Sequence, residues 1–327
     1  MIRSPTSPRP SLYFLFFLLA VTCGASPPGV MNGLAVSPDG KLIAVTHEKG
    51  DTAFLYKVSV DTGHATRLTK AEVGWESSPS FSPDGKLIAY AYKPGKEARS
   101  RIIIWNADGS GAHQWSPAGV ADLSPTFSPD GRTIIFSRAE TYGSDSPVAQ
   151  RRPHNWNFFA SDLDGANVRQ LTSESFYTVS PPSISPDGKT MAIVTEGVET
   201  SEHISVYSIT HPGSALQTFQ PHVPKEVDHK KPIFVFPNYL PDGNILFMAA
   251  NSRFDYDVYR LNPDTGTIGK LTNANGYATD LKVSADGKTA VFFKWRKTWL
   301  GDLRGNQVYL LDVQSRKLTP LNISGID

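Results

Sequence analysis

Cysteine is nearly absent from this chain of 327 residues, in which Cys23 is the only one. A disulfide within the chain is therefore excluded, and the folded domain must be stabilised by packing and hydrogen bonds. An excess of charge of one sign is also lacking, because 32 Lys and Arg residues are matched by 31 Asp and Glu residues. Nucleic-acid-binding proteins usually carry a strongly basic surface, so the near-neutral balance argues against nucleic acid as a partner.

The sequence signatures of common catalytic sites are missing as well. The chain has no Gly-x-Ser-x-Gly elbow, no Gly-x-x-x-x-Gly-Lys-Ser/Thr phosphate loop, no His-Glu-x-x-His motif and no cysteine outside the N-terminal segment. To hold a metal ion together, three histidines would have to come close in the fold, namely His154, His222 and His229. Their spacing in the sequence gives this idea no support. We therefore predict neither a metal nor another cofactor.

Long apolar runs are scarce, and the one that matters lies at the N-terminus. Arg3 and Arg9 precede ten consecutive apolar residues at 12–21, which is too short to span a bilayer but fits the apolar core of a signal peptide. We predict that residues 1–23 are this signal and that residues 24–327 form an exported domain. The expected location is the periplasm or cell envelope, with contact to a membrane only through a lipid anchor.

Cys23 leaves two ways of processing this segment open. The stretch Ala20-Val21-Thr22-Cys23 resembles a bacterial lipobox, in which the cysteine is lipidated. It departs from that pattern at Ala20, where leucine is usual, and at Thr22, where a small residue is usual. The competing interpretation is ordinary cleavage after Ala25, and the sequence does not decide between them.

A turn of the form Ser-Pro-Asp-Gly is the most regular feature that the chain does have. Four copies are complete and two are variants, and they begin at residues 37, 82, 128, 185, 240 and 284. The intervals between them are 45, 46, 57, 55 and 44 residues. A recurrence of this length is typical of proteins built from repeated structural units.

Each repeat reads as four short strands, as the second copy illustrates. A strand ending at Phe81 leads into the tight turn at 82–85, and residues 86–90 form a second strand that is apolar on both faces. A third strand at 101–105 is followed by a hairpin turn and a short fourth strand at 113–115. No segment shows a helical period with caps, so we predict an all-β chain.

Sheets that are apolar on both faces become stable when they pack face to face around an axis, as in a β-propeller. Six repeats predict a six-bladed β-propeller of four-stranded antiparallel blades. The first blade begins with its inner strand and the last ends with an outer strand at 318–321. Closure is therefore predicted by packing of the first blade on the sixth, without exchange of a strand.

The repeat resembles that of TolB-type β-propellers in its Ser-Pro-Asp-Gly turn, its aromatic third strand and its closing Leu-Thr pair, as at Leu171-Thr172. The resemblance covers nearly all of residues 30–320 and implies the fold. Few residues lie between Cys23 and the first predicted blade, so we expect a propeller without the α/β domain that precedes the propeller in TolB.

Binding is expected where the repeat is interrupted, on the face opposite the recurrent turns. Long loops that carry aromatic and basic side chains are predicted at three insertions, residues 138–156, 221–232 and 294–305. Such side chains suit a peptide, a carbohydrate or another envelope protein. The candidate ligand-binding residues are Arg151, Arg152, His154, Trp156, His229, Arg253, Tyr256, Trp295 and Trp299.

Two functions are consistent with this reading. The favoured one is an exported, monomeric, non-catalytic binding or scaffold module, supported by the regular repeats and the missing catalytic motifs. The alternative is a carbohydrate-active enzyme, a polysaccharide lyase or hydrolase, with its site at the mouth of the channel. The alternative draws on the His, Arg and Trp residues of the predicted loops.

Overall fold

The fold was analysed in a computed structural model, which describes residues 30–95, 98–117, 119–143, 152–176, 179–196, 202–219, 233–250, 256–273, 276–297 and 303–326. Within these ranges all regular secondary structure is β-strand, as predicted. None of the described residues forms a helix that could cross a bilayer.

The strands group into six consecutive units of four, which we number one to six along the chain. Unit one comprises β1 Val30–Val36, β2 Leu42–Lys49, β3 Thr52–Ser59 and β4 Ala65–Arg67. Unit two comprises β5 Trp75–Phe81, β6 Leu87–Lys93, β7 Arg101–Asn106 and β8 Ala112–Gln114. Unit three comprises β9 Asp122–Phe127, β10 Thr133–Gly143, β11 Arg152–Asp162 and β12 Arg169–Gln170.

Units four to six follow the same order. Unit four comprises β13 Ser183–Ile184, β14 Thr190–Glu196, β15 Glu202–Ser208 and β16 Gln217–Phe219. Unit five comprises β17 Ile233–Tyr239, β18 Ile245–Ala250, β19 Tyr256–Leu261 and β20 Ile268–Lys270. Unit six comprises β21 Ala278–Val283, β22 Thr289–Lys297, β23 Leu303–Asp312 and β24 Leu318–Leu321.

Within each unit the strands pair antiparallel in chain order. Units three to six are separate four-stranded sheets, whereas units one and two are joined in one eight-stranded sheet. The junction is a single parallel pair between Ala53 of β3 and Trp75 of β5. The structure therefore contains five sheets, and the largest consists of two antiparallel four-stranded halves.

The serine and the aspartate of each complete turn fix its shape. In the third copy the Ser128 hydroxyl donates to Asp130 Oδ1 at 2.6 Å and accepts from the Thr133 N–H at 3.0 Å. The hydrogen bond from Ser128, with a second from the Arg132 backbone, holds the pKa of Asp130 below its usual value. The same bonds recur in the turns that begin at residues 37, 82, 185 and 284.

The first strands of the units lie beside one another in a ring. Strand β1 contacts β5, β5 contacts β9, β13 contacts β17, β17 contacts β21, and β21 contacts β1. Between units three and four the Thr126 hydroxyl donates to the carbonyl of Pro182 at 3.3 Å. Apolar side chains of neighbouring units fill the spaces between the sheets, so the core is a series of interfaces between units.

A bulge with left-handed backbone recurs four residues before the turn in five of the six first strands. Its residue is Gly33, Ser78, Ser124, Phe236 or Asp280, with φ between 52° and 59°, and strand pairing shifts register there. Unit four has Pro181 at this position. Because proline fixes φ near −65°, unit four does not form this bulge, and its first strand is only two residues long.

Units six and one meet through side-chain packing. Val291, Phe293 and Val308 of unit six pack in one buried cluster with Val45 and Val58 of unit one. Strand β1 pairs with β2 and strand β24 with β23. Among the described residues no strand is exchanged between these units.

The C-terminal tail, residues 322–326, adds a second contact across this junction. Ser324 forms an isolated parallel bridge with His64 of unit one. The Ala65 N–H donates to Ser324 O at 2.8 Å, and the Ser324 N–H donates to Gly63 O at 3.0 Å. The side chains of Ile323 and Ile326 pack against the apolar cluster between units six and one. These contacts hold the C-terminal tail against unit one.

Candidate functional site

The two ends of the units differ in their connections. One end carries the Ser-Pro-Asp-Gly turns and the third-to-fourth-strand turns, and we call it the turn face. The other carries the connections between second and third strands and between successive units, and we call it the loop face. Because antiparallel strands alternate in direction, the described parts of the insertions at 138–156 and 294–305 lie toward the loop face, whereas residues 221–232 lie outside the described residues. Five of the predicted residues, Cys23, Arg151, His229, Arg253 and Trp299, lie outside the described residues.

The insertion at 138–156 is a hairpin for most of its described length, which corrects the prediction of a long loop. Strands β10 and β11 extend beyond the sheet and stay paired, with Thr141 opposite His154 and Gly143 opposite Arg152. The His154 Nε2 atom lies 3.0 Å from the Gly143 carbonyl oxygen. The backbone hydrogen bonds of the hairpin set the direction of its side chains, so His154 is held by its own strand pair.

Trp156 is a packing residue in this structure. Only 6% of it is exposed, and its backbone forms two hydrogen bonds with Phe176, one in each direction, at 2.8 and 2.9 Å. These bonds fasten the segment before unit four to strand β11. A buried indole at such a junction does not present a flat surface to a ligand.

Tyr256, Tyr277 and Trp295 form a continuous aromatic group, which we call the aromatic triad. The centroids of the Tyr256 and Tyr277 rings are 5.4 Å apart in an edge-to-face arrangement. The Tyr277 and Trp295 centroids are 6.0 Å apart, and the backbone N–H of Trp295 donates to the Tyr277 carbonyl at 2.8 Å. Burial raises the pKa of Tyr277 to about 12. The structure thus brings together two predicted ligand-binding residues, Tyr256 and Trp295, on either side of Tyr277.

The members of the aromatic triad differ in exposure. Tyr256 is 6% exposed and serves as a support, whereas Trp295 is half-buried near the end of strand β22. The adjacent Lys294 places its ammonium group 5.5 Å from the centre of the Tyr309 ring. Because successive residues of a strand point to opposite faces of the sheet, Lys294 and Trp295 do not share a face, and the accessible indole is the group of this edge that suits recognition of a partly apolar ligand.

Glu76, at the start of strand β5, has a structural role as a hydrogen-bond acceptor between units one and two. One carboxylate oxygen accepts hydrogen bonds from the Leu55 N–H at 2.8 Å and from the Thr69 hydroxyl at 2.5 Å. Thr69 belongs to the closing Leu-Thr pair of unit one, so this carboxylate joins units one and two. Burial raises the pKa of Glu76 against the effect of these hydrogen bonds.

Asp122, at the start of strand β9, has a structural role within unit three. Its carboxylate, 0% exposed, accepts two hydrogen bonds from Arg138, at 2.7 and 2.8 Å. The guanidinium group also lies over the rings of Phe136 and Phe159, at 5.1 and 5.6 Å. Burial raises the pKa of Asp122, and Arg138 opposes that shift. A carboxylate engaged on both oxygens is poorly suited to act on a substrate.

Asp280 and Lys282 are an acidic and a basic residue on one first strand, and the sequence did not single them out. Both side chains are partly accessible to solvent, although strand β21 is one of the first strands that form the ring. Burial raises the pKa of Asp280 to about 6, partly offset by Lys282, and burial lowers the pKa of Lys282. The feature of the sequence that could have pointed to them is their position in a first strand, next to the bulge. Burial of a charged side chain there costs free energy unless the charge is paired. Among the described residues, no three His, Cys, Asp or Glu side chains are grouped so that they could hold a metal ion.

Comparison with known families links the N-terminal part of the chain to one of them. Residues 21–144 match the model of the TolB beta propeller domain. The predicted resemblance to TolB-type propellers is thereby confirmed. A search of curated proteins gave no match.

Solved structures show the same fold at low sequence identity. TolB from Acinetobacter baumannii is 18% identical with a TM-score of 0.60, and the match covers 93% of this chain and 66% of that one. A putative TolB from Agrobacterium tumefaciens is 18% identical with a TM-score of 0.56, and the match covers 75% and 82%. Oligogalacturonate lyase from Vibrio parahaemolyticus is 13% identical with a TM-score of 0.56, and the match covers 92% and 81%. The chain thus spans slightly less than two thirds of the Acinetobacter TolB, and these likenesses concern the fold.

Proposed function

We propose that the chain is an exported TolB-like β-propeller that acts as a non-catalytic binding module in the cell envelope. Its ligand is an extended segment of an envelope protein, bound on the loop face. The aromatic triad carries this proposal, because it is a supported aromatic surface with an accessible indole at its edge. Tryptophan and tyrosine are among the side chains that most often dominate the energetics of protein interfaces.

The carboxylates at the starts of the first strands support a non-catalytic role. A catalytic carboxylate must reach the substrate and exchange a proton or form a bond with it. Glu76 instead joins units one and two, and Asp122 is paired with Arg138 of its own unit, in both cases through buried hydrogen bonds. The alternative of a polysaccharide lyase or hydrolase rests on the loop residues and on a likeness in fold. An assay with oligogalacturonate would favour it if unsaturated products accumulated.

We also propose that the six units are six blades of one propeller. The eight-stranded sheet then consists of two blades, joined only where Ala53 and Trp75 pair at one end. Neighbouring turns support this count, because a side-chain carbon placed on Gly40 of the first turn would lie 3.7 Å from Ser284 Cβ of the sixth. An experimental structure with a different number of radial sheets would overturn it.

Export remains part of the proposal, with residues 1–23 as the signal and 24–327 as a monomeric propeller. Metabolic labelling with a fatty acid tests the lipid anchor. Label on the wild type that disappears in Cys23→Ser would support lipidation. An unlabelled wild type whose mature chain begins at Ser26 would support cleavage after Ala25.

Affinity capture from envelope extracts tests the binding role. The bait is the mature domain, and the test variant is Trp295→Ala combined with Lys294→Ala. A matched control is Lys288→Ala, which removes an exposed cation from the turn face. We expect the test variant to lose captured protein while the control retains it, with equal circular dichroism spectra. Equal capture by all three proteins would remove the aromatic triad from the binding site.

A further inference from the structure

The turn face holds a groove between units five and six that is independent of the loop-face function. It is open to solvent and has a volume of about 470 Å³. The groove is lined by Asn244, Arg260, Asn262, Thr265, Thr267, Gly269, Leu271 and Arg316. This lining contains two guanidinium groups and no carboxylate.

The groove is open because unit five lacks a side chain that crosses to the next unit in units three and four. In unit three the side chain of Arg169 reaches across to unit four and donates to Ile209 O at 2.7 Å. In unit four Gln217 reaches unit five in the same way and donates to Pro263 O at 3.1 Å. The strand register places Gly269 at the equivalent position of unit five. The crossing side chain is therefore absent at this junction, and a carbon added to Gly269 would have no neighbour within 4 Å.

Arg316 occupies a position that favours glycine. It ends the third-to-fourth-strand turn of unit six with φ = 61° and donates its N–H to Asp312 O at 2.8 Å. The same place in the turns of units one and five is held by Gly63 and Gly266, both with φ = 69° and with the same backbone hydrogen bond. A left-handed arginine is strained, and strained residues are concentrated at functional sites. The strain is retained where the side chain lines the groove.

The hydrogen-bonding groups of the groove are mainly donors. The Asn262 side-chain oxygen is engaged by the N–H groups of Asp264 and Thr265, both at 3.0 Å, which leaves its NH₂ group as the free end. Arg260 forms an ion pair with Asp242 at the rim, and a guanidinium has further N–H donors beyond the one used there. Arginine pairs and amide donors recognise the oxygens of phosphate groups.

We propose that this groove is a binding site for a phosphate group, with Arg316 and Arg260 as its cationic ligands and Asn262 as a neutral donor. The phosphate could belong to a small soluble compound or to a lipid headgroup, since both present the same oxygens. Gly269 provides the space, and the strained Arg316 provides the charge.

Isothermal titration with inorganic phosphate at constant ionic strength tests the site. We expect saturable binding by the wild type and a loss of affinity of at least tenfold in Arg316→Gly and in Gly269→Gln. Arg316→Gly should also raise Tm by about 2 °C, because it relieves the left-handed strain. Gly269→Gln would fill the groove with the side chain that Gln217 provides one unit earlier.

The control is Arg132→Ala, which removes an exposed arginine from the turn face of unit three and should leave phosphate affinity unchanged. Sedimentation with phosphatidylglycerol vesicles distinguishes the sources. Binding to vesicles that Gly269→Gln abolishes assigns the site to a lipid headgroup, whereas phosphate binding without sedimentation assigns it to a soluble phosphate compound. An unchanged affinity in both groove variants, or no binding of either probe by the wild type, would overturn the proposal.

Discussion

Gly63→Ala should destabilise the protein far more than the same change at Gly266. Both glycines close a third-to-fourth-strand turn with the sequence Asp-Thr-Gly and φ = 69°. Their surroundings differ, because a Cβ on Gly63 would lie 1.9 Å from the carbonyl oxygen of Asn322, whereas a Cβ on Gly266 would meet nothing within 4 Å. The pair therefore separates the cost of a left-handed alanine from the cost of displacing the C-terminal tail.

The magnitude follows from these contacts. A left-handed alanine costs about 1 kcal/mol at either site. At Gly63 the tail must also move, which breaks the two hydrogen bonds between Ser324 and unit one, worth together about 2 kcal/mol. Exposure of part of Ile323 and Ile326 adds about 1 kcal/mol. We expect the free energy of unfolding to fall by about 4 kcal/mol in Gly63→Ala and by about 1 kcal/mol in Gly266→Ala.

Urea unfolding followed by tryptophan fluorescence measures the two losses. Hydrogen exchange read by mass spectrometry should show faster exchange of the amides of Ala65 and Ser324 in Gly63→Ala alone. If the two variants lost the same stability, or if exchange at the tail did not change, the tail would not contribute to closure as argued here.

Three further predictions concern single side chains. Ser128→Ala should lower the free energy of unfolding by about 2 kcal/mol, because two hydrogen bonds of the turn are lost; the pKa of Asp130, measured by NMR, should rise, and an unmoved pKa would contradict the role of the serine. Arg138→Met should cost about 3–5 kcal/mol in urea unfolding, since it leaves the buried carboxylate of Asp122 unpaired; the double change with Asp122→Leu should recover part of that loss, and no recovery would refute the pairing argument. The pKa of Asp280, raised by folding from 3.8 to about 6, implies a contribution to stability that is full below pH 3.8 and is lost as the pH rises through 6, up to about 3 kcal/mol. Asp280→Asn should remove this decline between pH 4 and pH 7, and equal urea profiles for the two proteins would contradict it.

The repetitive part of the fold was predictable from the sequence, because its determinants are local. Proline, aspartate and glycine at fixed places in a turn restrict the backbone on their own, and apolar runs on both sides predict strands covered on two faces. The turn at Ser128, with its strands on either side, was identified in this way, and so was the order of strands within each repeat. These features depend on residues that are close in sequence.

Features that depend on contacts between repeats were not predictable. Ser78 and Phe236 have left-handed backbone. This conformation is uncommon for residues other than glycine, so the residue type does not predict it. Trp156 was expected on a binding surface and is buried, because its environment is supplied by Phe176 and by the sheet of unit three. The hydrogen bonds of Glu76 to the previous unit likewise depend on how the two units are packed.

Departures from the repeat become informative once the structure aligns the units. Pro181 stands where the other five first strands have a left-handed residue, and the pairing of unit four is shortened accordingly. Gly269 stands where two preceding units have a crossing side chain, and a groove remains. In each case the change at one position alters the contact between two units while the unit itself still forms. A repeat protein can therefore vary its surfaces at low cost to its fold, because each unit contributes its own strands and turns to stability.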